Sequence, residues 1–253
     1  MSASSRDLIV ARRWTATGLW AATLVCWLVL FWGANNMDNP AAQLTMPMSD
    51  WSAANWLAVF VMWAVMMAAM MLPSAAPMVL CFAELNRRRG EGTRTLLFAA
   101  AYLVLWIVFS GAAAALQWAL QAMGWISPMI VSTSPALSAG LLLIAGVFQF
   151  SPIKHSCLRA CRSPLGFLIS DWRDGILGAW RMGIRHGLNC LGCCWALMAL
   201  LFVGGAMNLL WIAALSVLVA VEKLAPRGEL FARALGGVMI GAGAMRWISL
   251  SPL

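Results

Sequence analysis

Both histidines and five of the seven cysteines of this chain fall between Lys154 and Trp195, in a stretch that opens KHSCLRACRSP and closes RHGLNCLGCCW. On an α-helix His186, Cys190, Cys193 and Cys194 stand at i, i+4, i+7 and i+8, so one imidazole and two or three sulfurs share a face. Cys157 and Cys161 make a second pair at i, i+4. More sulfur lies upstream, where Met62, Met66 and Met70 are spaced by four and Met67 and Met71 continue beside them, just before Leu72-Pro73. Thiolate, thioether and imidazole together select soft or borderline metals, chiefly Cu(I) and Zn(II). Zinc is satisfied by Cys and His in a closed tetrahedron. The methionines tilt the set toward Cu(I), because a thioether is a poor zinc ligand. Met37, Met46 and Met48 add a weaker capture point in a separate loop. Cysteine also packs well between helices and methionine fills irregular cores. The ligand reading rests on coincidence: two separate Cys pairs and a His at helical spacing and one depth.

The elements that hold these groups are apolar. Of 253 residues, 62% are hydrophobic and 10% charged, whereas a soluble domain carries about 45–50% apolar and roughly 25% charged residues. So few charges cannot cover a water-soluble surface, and the composition predicts a polytopic membrane protein. The net charge of +8 is then a matter of topology. No basic face of the kind that binds nucleic acid is present. The N-terminal MSASSRDLIVARRW resembles neither a cleavable signal nor a transit peptide.

A span needs about 20 apolar residues. Candidates run over 14–33, 53–80 (with Pro73 and Pro77 inside), 96–123, 136–153, 187–206, 209–221 and 231–247. Between the fourth and fifth, Leu165, Leu168, Ile169, Trp172, Ile176, Trp180 and Ile184 recur every three or four residues, with charges mostly off that stripe. The pattern predicts an interfacial amphipathic helix near 165–185 whose arginines reach headgroups. With the N-terminus in the cytoplasm, sixteen of the seventeen basic residues fall on the cytoplasmic side and only Arg246 outside, a strong positive-inside bias. The expectation is an all-α fold, a single integral membrane domain over 1–253. It would be a transmembrane helix bundle of about seven spans, with the Cys/His line in its cytoplasmic half. Thiols there stay reduced, which argues against structural disulfides. Glu222 is the carboxylate nearest the same level.

The same residues carry a family resemblance. KHSCLRACRSPLGF, GAWRMGIRHGLNCLGCCWALMALLFVGGAMN and EKLAP, with AVMMAAMMLPSAAPM in the second span, resemble a bacterial family of predicted metal-binding integral membrane proteins (domain of unknown function 2182). The likeness covers about residues 55–228. It implies Cys157, Cys161, His186, Cys190, Cys193, Cys194 and Glu222 as the family's signature polar residues, metal binding, and a place in the bacterial inner membrane.

The function expected is metal handling, meaning binding, transfer or transport of Cu(I), with zinc as the other metal. The candidate ligands are Cys157, Cys161, His186, Cys190, Cys193, Cys194, Met66, Met67, Met70, Met71 and Glu222. Expected partners are the lipid bilayer and a metallochaperone or membrane metalloenzyme. One rival is a thiol–disulfide oxidoreductase using Cys193–Cys194 or Cys157–Cys161. Such enzymes need accessible, low-pKa thiols, and no C-x-x-C stands in an exposed outer loop. Another rival is a structural or assembly subunit of a membrane metalloenzyme complex. No HExxH, Walker loop or nucleophile elbow is present, so the sequence shows no other catalytic constellation.

Overall fold

The structure, a computed structural model, describes residues 5–48, 50–87 and 93–249. Arg88 and Arg89, two of the cations expected to fix the orientation, lie outside the described residues. The helices are α1 (Ser5–Asn35), α2 (Pro40–Gln43), α3 (Ala53–Arg87), α4 (Thr93–Ala122), α5 (Pro135–Phe148) and α6 (Pro152–Arg162). There follow α7 (Pro164–Asp171), α8 (Gly175–Ala199), α9 (Leu201–Gly204), α10 (Leu209–Leu224) and α11 (Gly228–Ile248). Among the described residues the only β-pairing is one isolated bridge, Ile126 to Ser132. The fold is all-helical.

Among the described residues four segments are long and apolar enough to cross a membrane: Arg13–Asn35, Ala53–Asn86, Thr93–Ala122 and Gly175–Gly204. The pair α5 and α6 makes a fifth if its 65° bend is counted within one span. The seven expected segments therefore do not all qualify by length and composition. Helix α10 has 16 residues, short of the roughly 20 a straight crossing needs. In α11, Arg233, Arg246 and several glycines dilute the apolar run.

Two boundaries differ from the sequence reading for local reasons. The expected fourth span stops at Phe148, because Ser151 caps a new helix: its side chain accepts from the Ile153 amide at 3.2 Å, and Pro152 supplies a preset first turn. The expected amphipathic helix over 165–185 is two helices. Helix α7 ends at Asp171, and Gly175 takes φ +85, a conformation that glycine adopts without strain. Trp172 donates its indole N–H to Asp174 at 2.9 Å across this corner. The arginine-bearing half, 175–185, is thus the first part of the helix that carries the cysteines.

Helix α8 packs chiefly on α4 and α6, α3 on α1 and α4, and α5 on α11. Small residues allow the close crossings, as is usual where helices associate by packing. At Gly146 and Gly236 an added Cβ would fall 2.9 Å from the other helix's carbonyl oxygen. At Gly183 of α8 it would strike the Phe98 carbonyl and lie 2.7 Å from Ala101 Cβ on α4. Both obstacles are rigid, so Gly183→Ala is expected to destabilise by about 1–3 kcal/mol, read as a lower melting temperature in detergent. An unchanged value would contradict this crossing.

Proline also shapes α3. Pro73 has no N–H for the Ala69 carbonyl one turn back. Trp27 of α1 fills the gap, donating its indole N–H to Ala69 O at 3.2 Å. The freed carbonyl thereby docks α1.

Candidate metal centre

The cysteines of α8 face inward. Cys190, Cys193 and Cys194 are buried, and the Cys193 and Cys194 thiols donate back to the Cys190 carbonyl at 3.1 and 2.9 Å. Such intrahelical bonds satisfy a thiol without an outside partner. Cys194 Sγ also lies 4.0 Å from Met71 Sδ of α3. On the other flank, Cys161 of α6 is within interaction range of Cys193. Cys157 lies against Gly192, where an added Cβ would come 2.7 Å from its sulfur. Helices α3, α6 and α8 thus bring six of the sequence-derived candidates into one region: Cys157, Cys161, Cys190, Cys193, Cys194 and Met71.

The other candidates are placed differently. His186 sits one turn before Cys190, its ring stacked on Tyr102 (centroids 5.2 Å apart) and Phe98 (5.9 Å). Both its ring nitrogens are buried without a hydrogen-bond partner. Met66, Met67 and Met70 are buried in the same apolar core as the cysteines of α8. Glu222 of α10 is buried and fully engaged: Oε2 accepts from Lys154 Nζ at 2.6 Å and Oε1 from Gln149 Nε2 at 2.9 Å. Among the described residues no three Cys, His, Asp or Glu side chains converge as a ready metal cage.

Pairs of sulfurs fit better. With metal–sulfur bonds of about 2.3 Å, two sulfurs sharing one ion lie up to about 4.6 Å apart. The Cys194–Met71 separation of 4.0 Å is within that reach. A thiol–thioether pair, with further thiols a short rotation away, suits a soft ion of low coordination number.

Two polar groups that the sequence reading did not single out contact Cys190, and a third is buried nearby on Glu222. Lys223 of α10 is buried, and its ammonium donates to Cys190 Sγ at 2.9 Å and to Ser74 Oγ at 3.2 Å. Tyr102 Oη lies 3.1 Å from the same sulfur and donates to the Met71 carbonyl at 3.3 Å. Lys154, counted by position as a loop cation, is fully buried on Glu222. The sequence offered one signal, EKL at the end of an apolar helix, which reads as easily as a surface pair. The structure corrects that reading: Glu222 and Lys223 are both buried and serve different partners.

No curated protein and no solved structure matches the chain. The sequence profile of the copper chaperone family PpoB2 matches residues 60–246, a range that contains every cysteine of the cluster, Met71, and the buried lysines and glutamate. On that match, which spans well over half of the sequence, the chain belongs to the copper chaperone family.

Proposed function

We propose that this protein is an integral membrane carrier of Cu(I), which it binds at the sulfur cluster of α3, α6 and α8 and hands on to a metalloprotein partner. The observation that carries the reading is the meeting of Cys190, Cys194 and Met71, residues from distant parts of the chain, in one buried volume. The proposed ligands are Cys157, Cys161, Cys190, Cys193, Cys194 and Met71. His186, Glu222, Met66, Met67 and Met70 stand around them. A thioether beside the thiols favours copper over zinc, which prefers thiolate and imidazole. The likeness to predicted metal-binding integral membrane proteins agrees.

The bilayer reading rests on the long apolar helices and on their outer faces, where Leu24, Leu57, Val108, Leu210 and Val238 are exposed. A water-facing monomer does not leave so much apolar surface uncovered. The arginine distribution argues for a cytoplasmic N-terminus. With Lys154 and Lys223 removed from the count, every remaining cation but Arg246 still falls on that side in the seven-span scheme. Such a protein fits the inner membrane of a bacterium, as one membrane domain.

Anaerobic loading of the purified protein with Cu(I), followed by elemental analysis, tests the reading. The wild type is expected to retain copper, and Cys190→Ser combined with Cys193→Ser to lose it. Equal copper content in the two proteins would remove the hypothesis. Zinc in place of copper in the wild type would redirect it.

A further inference from the structure

A crevice of about 890 Å³ lies between α1, α3, α7 and α10. One wall is a single face of α3, where Pro73, Pro77, Cys81 and Glu84 follow at i, i+4, i+8 and i+11. The facing wall includes Ala220 and Leu224 of α10. At about 1.5 Å per residue the α3 face extends about 16 Å, from the middle of the helix to within a turn of its end at Arg87.

The residues next to those walls belong to the sulfur site. Ser74 adjoins Pro73, and Lys223 lies between Ala220 and Leu224. Their bond of 3.2 Å joins α3 to α10, the helices that supply two of the crevice walls. Behind that bond is Cys190, 2.9 Å from the same ammonium. Cys190 also meets Tyr102 of α4 at 3.1 Å and shares its buried core with the methionines of α3. Two walls of the crevice therefore adjoin, along the chain, the residues whose contact holds the Lys223 ammonium beside Cys190.

We propose that this crevice is the path by which the metal reaches Cys190, and that the Lys223 contact with Ser74 is the barrier it opens. The proposal rests on the copper reading of the site. Four-carbon lysine side chains swing readily about their flexible stems, so the barrier can move without unfolding a helix. Cys81 offers a thiol along the way. The chemistry is ligand exchange from a thiol-bearing copper donor. The donor's copper–sulfur bond breaks as one to Cys190 forms, and the proton of the receiving thiol passes to the donor's freed thiolate. Copper stays Cu(I), and no electron moves.

The test is the loading rate of the full-length protein from Cu(I) held by bathocuproine disulfonate, followed by the absorbance of that complex. Ala220→Trp puts a large ring into the crevice and leaves the sulfurs of α6 and α8 and Met71 unchanged. It is expected to slow loading at least tenfold while the final copper count stays that of the wild type. Leu210→Trp, on the exposed outer face of the same helix, is expected to load at the wild-type rate. Ser74→Ala frees the lysine of one anchor and is expected to load faster. Wild-type kinetics in Ala220→Trp would overturn the route, as would a lower final count, which would place the crevice in the holding site itself. An unaltered rate in Ser74→Ala would overturn the barrier. A wild type that takes up no copper would instead defeat the copper reading beneath the proposal, a result distinguishable from either.

Discussion

The Glu222→Gln protein is expected to melt well below the wild type, with a stability loss of about 3–5 kcal/mol, because it leaves a buried charge without its partner. The Lys154 ammonium and the Glu222 carboxylate meet at 2.6 Å, and both side chains are almost wholly removed from solvent. Glutamine keeps the shape and one acceptor but no charge, so the lysine is stranded in a low-dielectric core. The end of α10 itself should persist, since Arg162 still donates to the Glu222 and Pro226 carbonyls at 2.6 and 2.9 Å. The loss therefore reports on the ion pair, not on fraying. Removing both charges, with Lys154→Met added, is expected to recover much of the difference, as uncharged replacements of buried pairs commonly do. Thermal unfolding in detergent by far-ultraviolet circular dichroism measures all three proteins. A single variant as stable as the wild type would show that Lys154 finds solvent and that the pair is not sealed.

Met71→Leu is expected to weaken Cu(I) binding at least tenfold, about 1.4 kcal/mol, while Met66→Leu leaves it unchanged. Both substitutions nearly conserve volume and are tolerated by packed cores, so a difference between them isolates the sulfur. Both methionines are fully buried in the same core. What separates them is that Met71 places its thioether 4.0 Å from Cys194. Competition against a chromophoric Cu(I) chelator gives the two affinities. Equal values would mean that the thioether takes no part and that the cluster is thiol-only.

Hydropathy made most of the helices legible, because 3.6-residue periodicity and long apolar runs are local properties. The cysteine line on α8 was legible for the same reason: spacing along one helix determines which residues share a face. Contacts between helices were not. Lys154 and Lys223 stand near helix ends, where a cation is ordinarily solvated. Only the meeting of α6 with α10, and of α10 with α3 and α8, reveals that they are buried. Tyr102 is an ordinary aromatic in an apolar helix until α4 crosses α8 at Gly183. His186 shows the converse. Its i−4 position relative to Cys190 suggested a shared ligand set, yet aromatic rings from α4 and α7 enclose it. The stripe over 165–185 misled because apolar periodicity continues across Gly175 although the backbone does not.

The ammonium of Lys223 beside Cys190 bears on which ions the interior tolerates. The Glu222 carboxylate already answers Lys154 and Gln149, so the compartment lined by the sulfurs holds one positive charge of its own. Were that amine to withdraw as Cu(I) entered, with the Cys190 thiol giving up its proton, the pocket would pass from one positive charge to none, and loading would relieve a buried charge. A dication in the same place would add a surplus charge where isolated charges carry a penalty of several kcal/mol. Valence, as well as softness, would then discriminate against zinc.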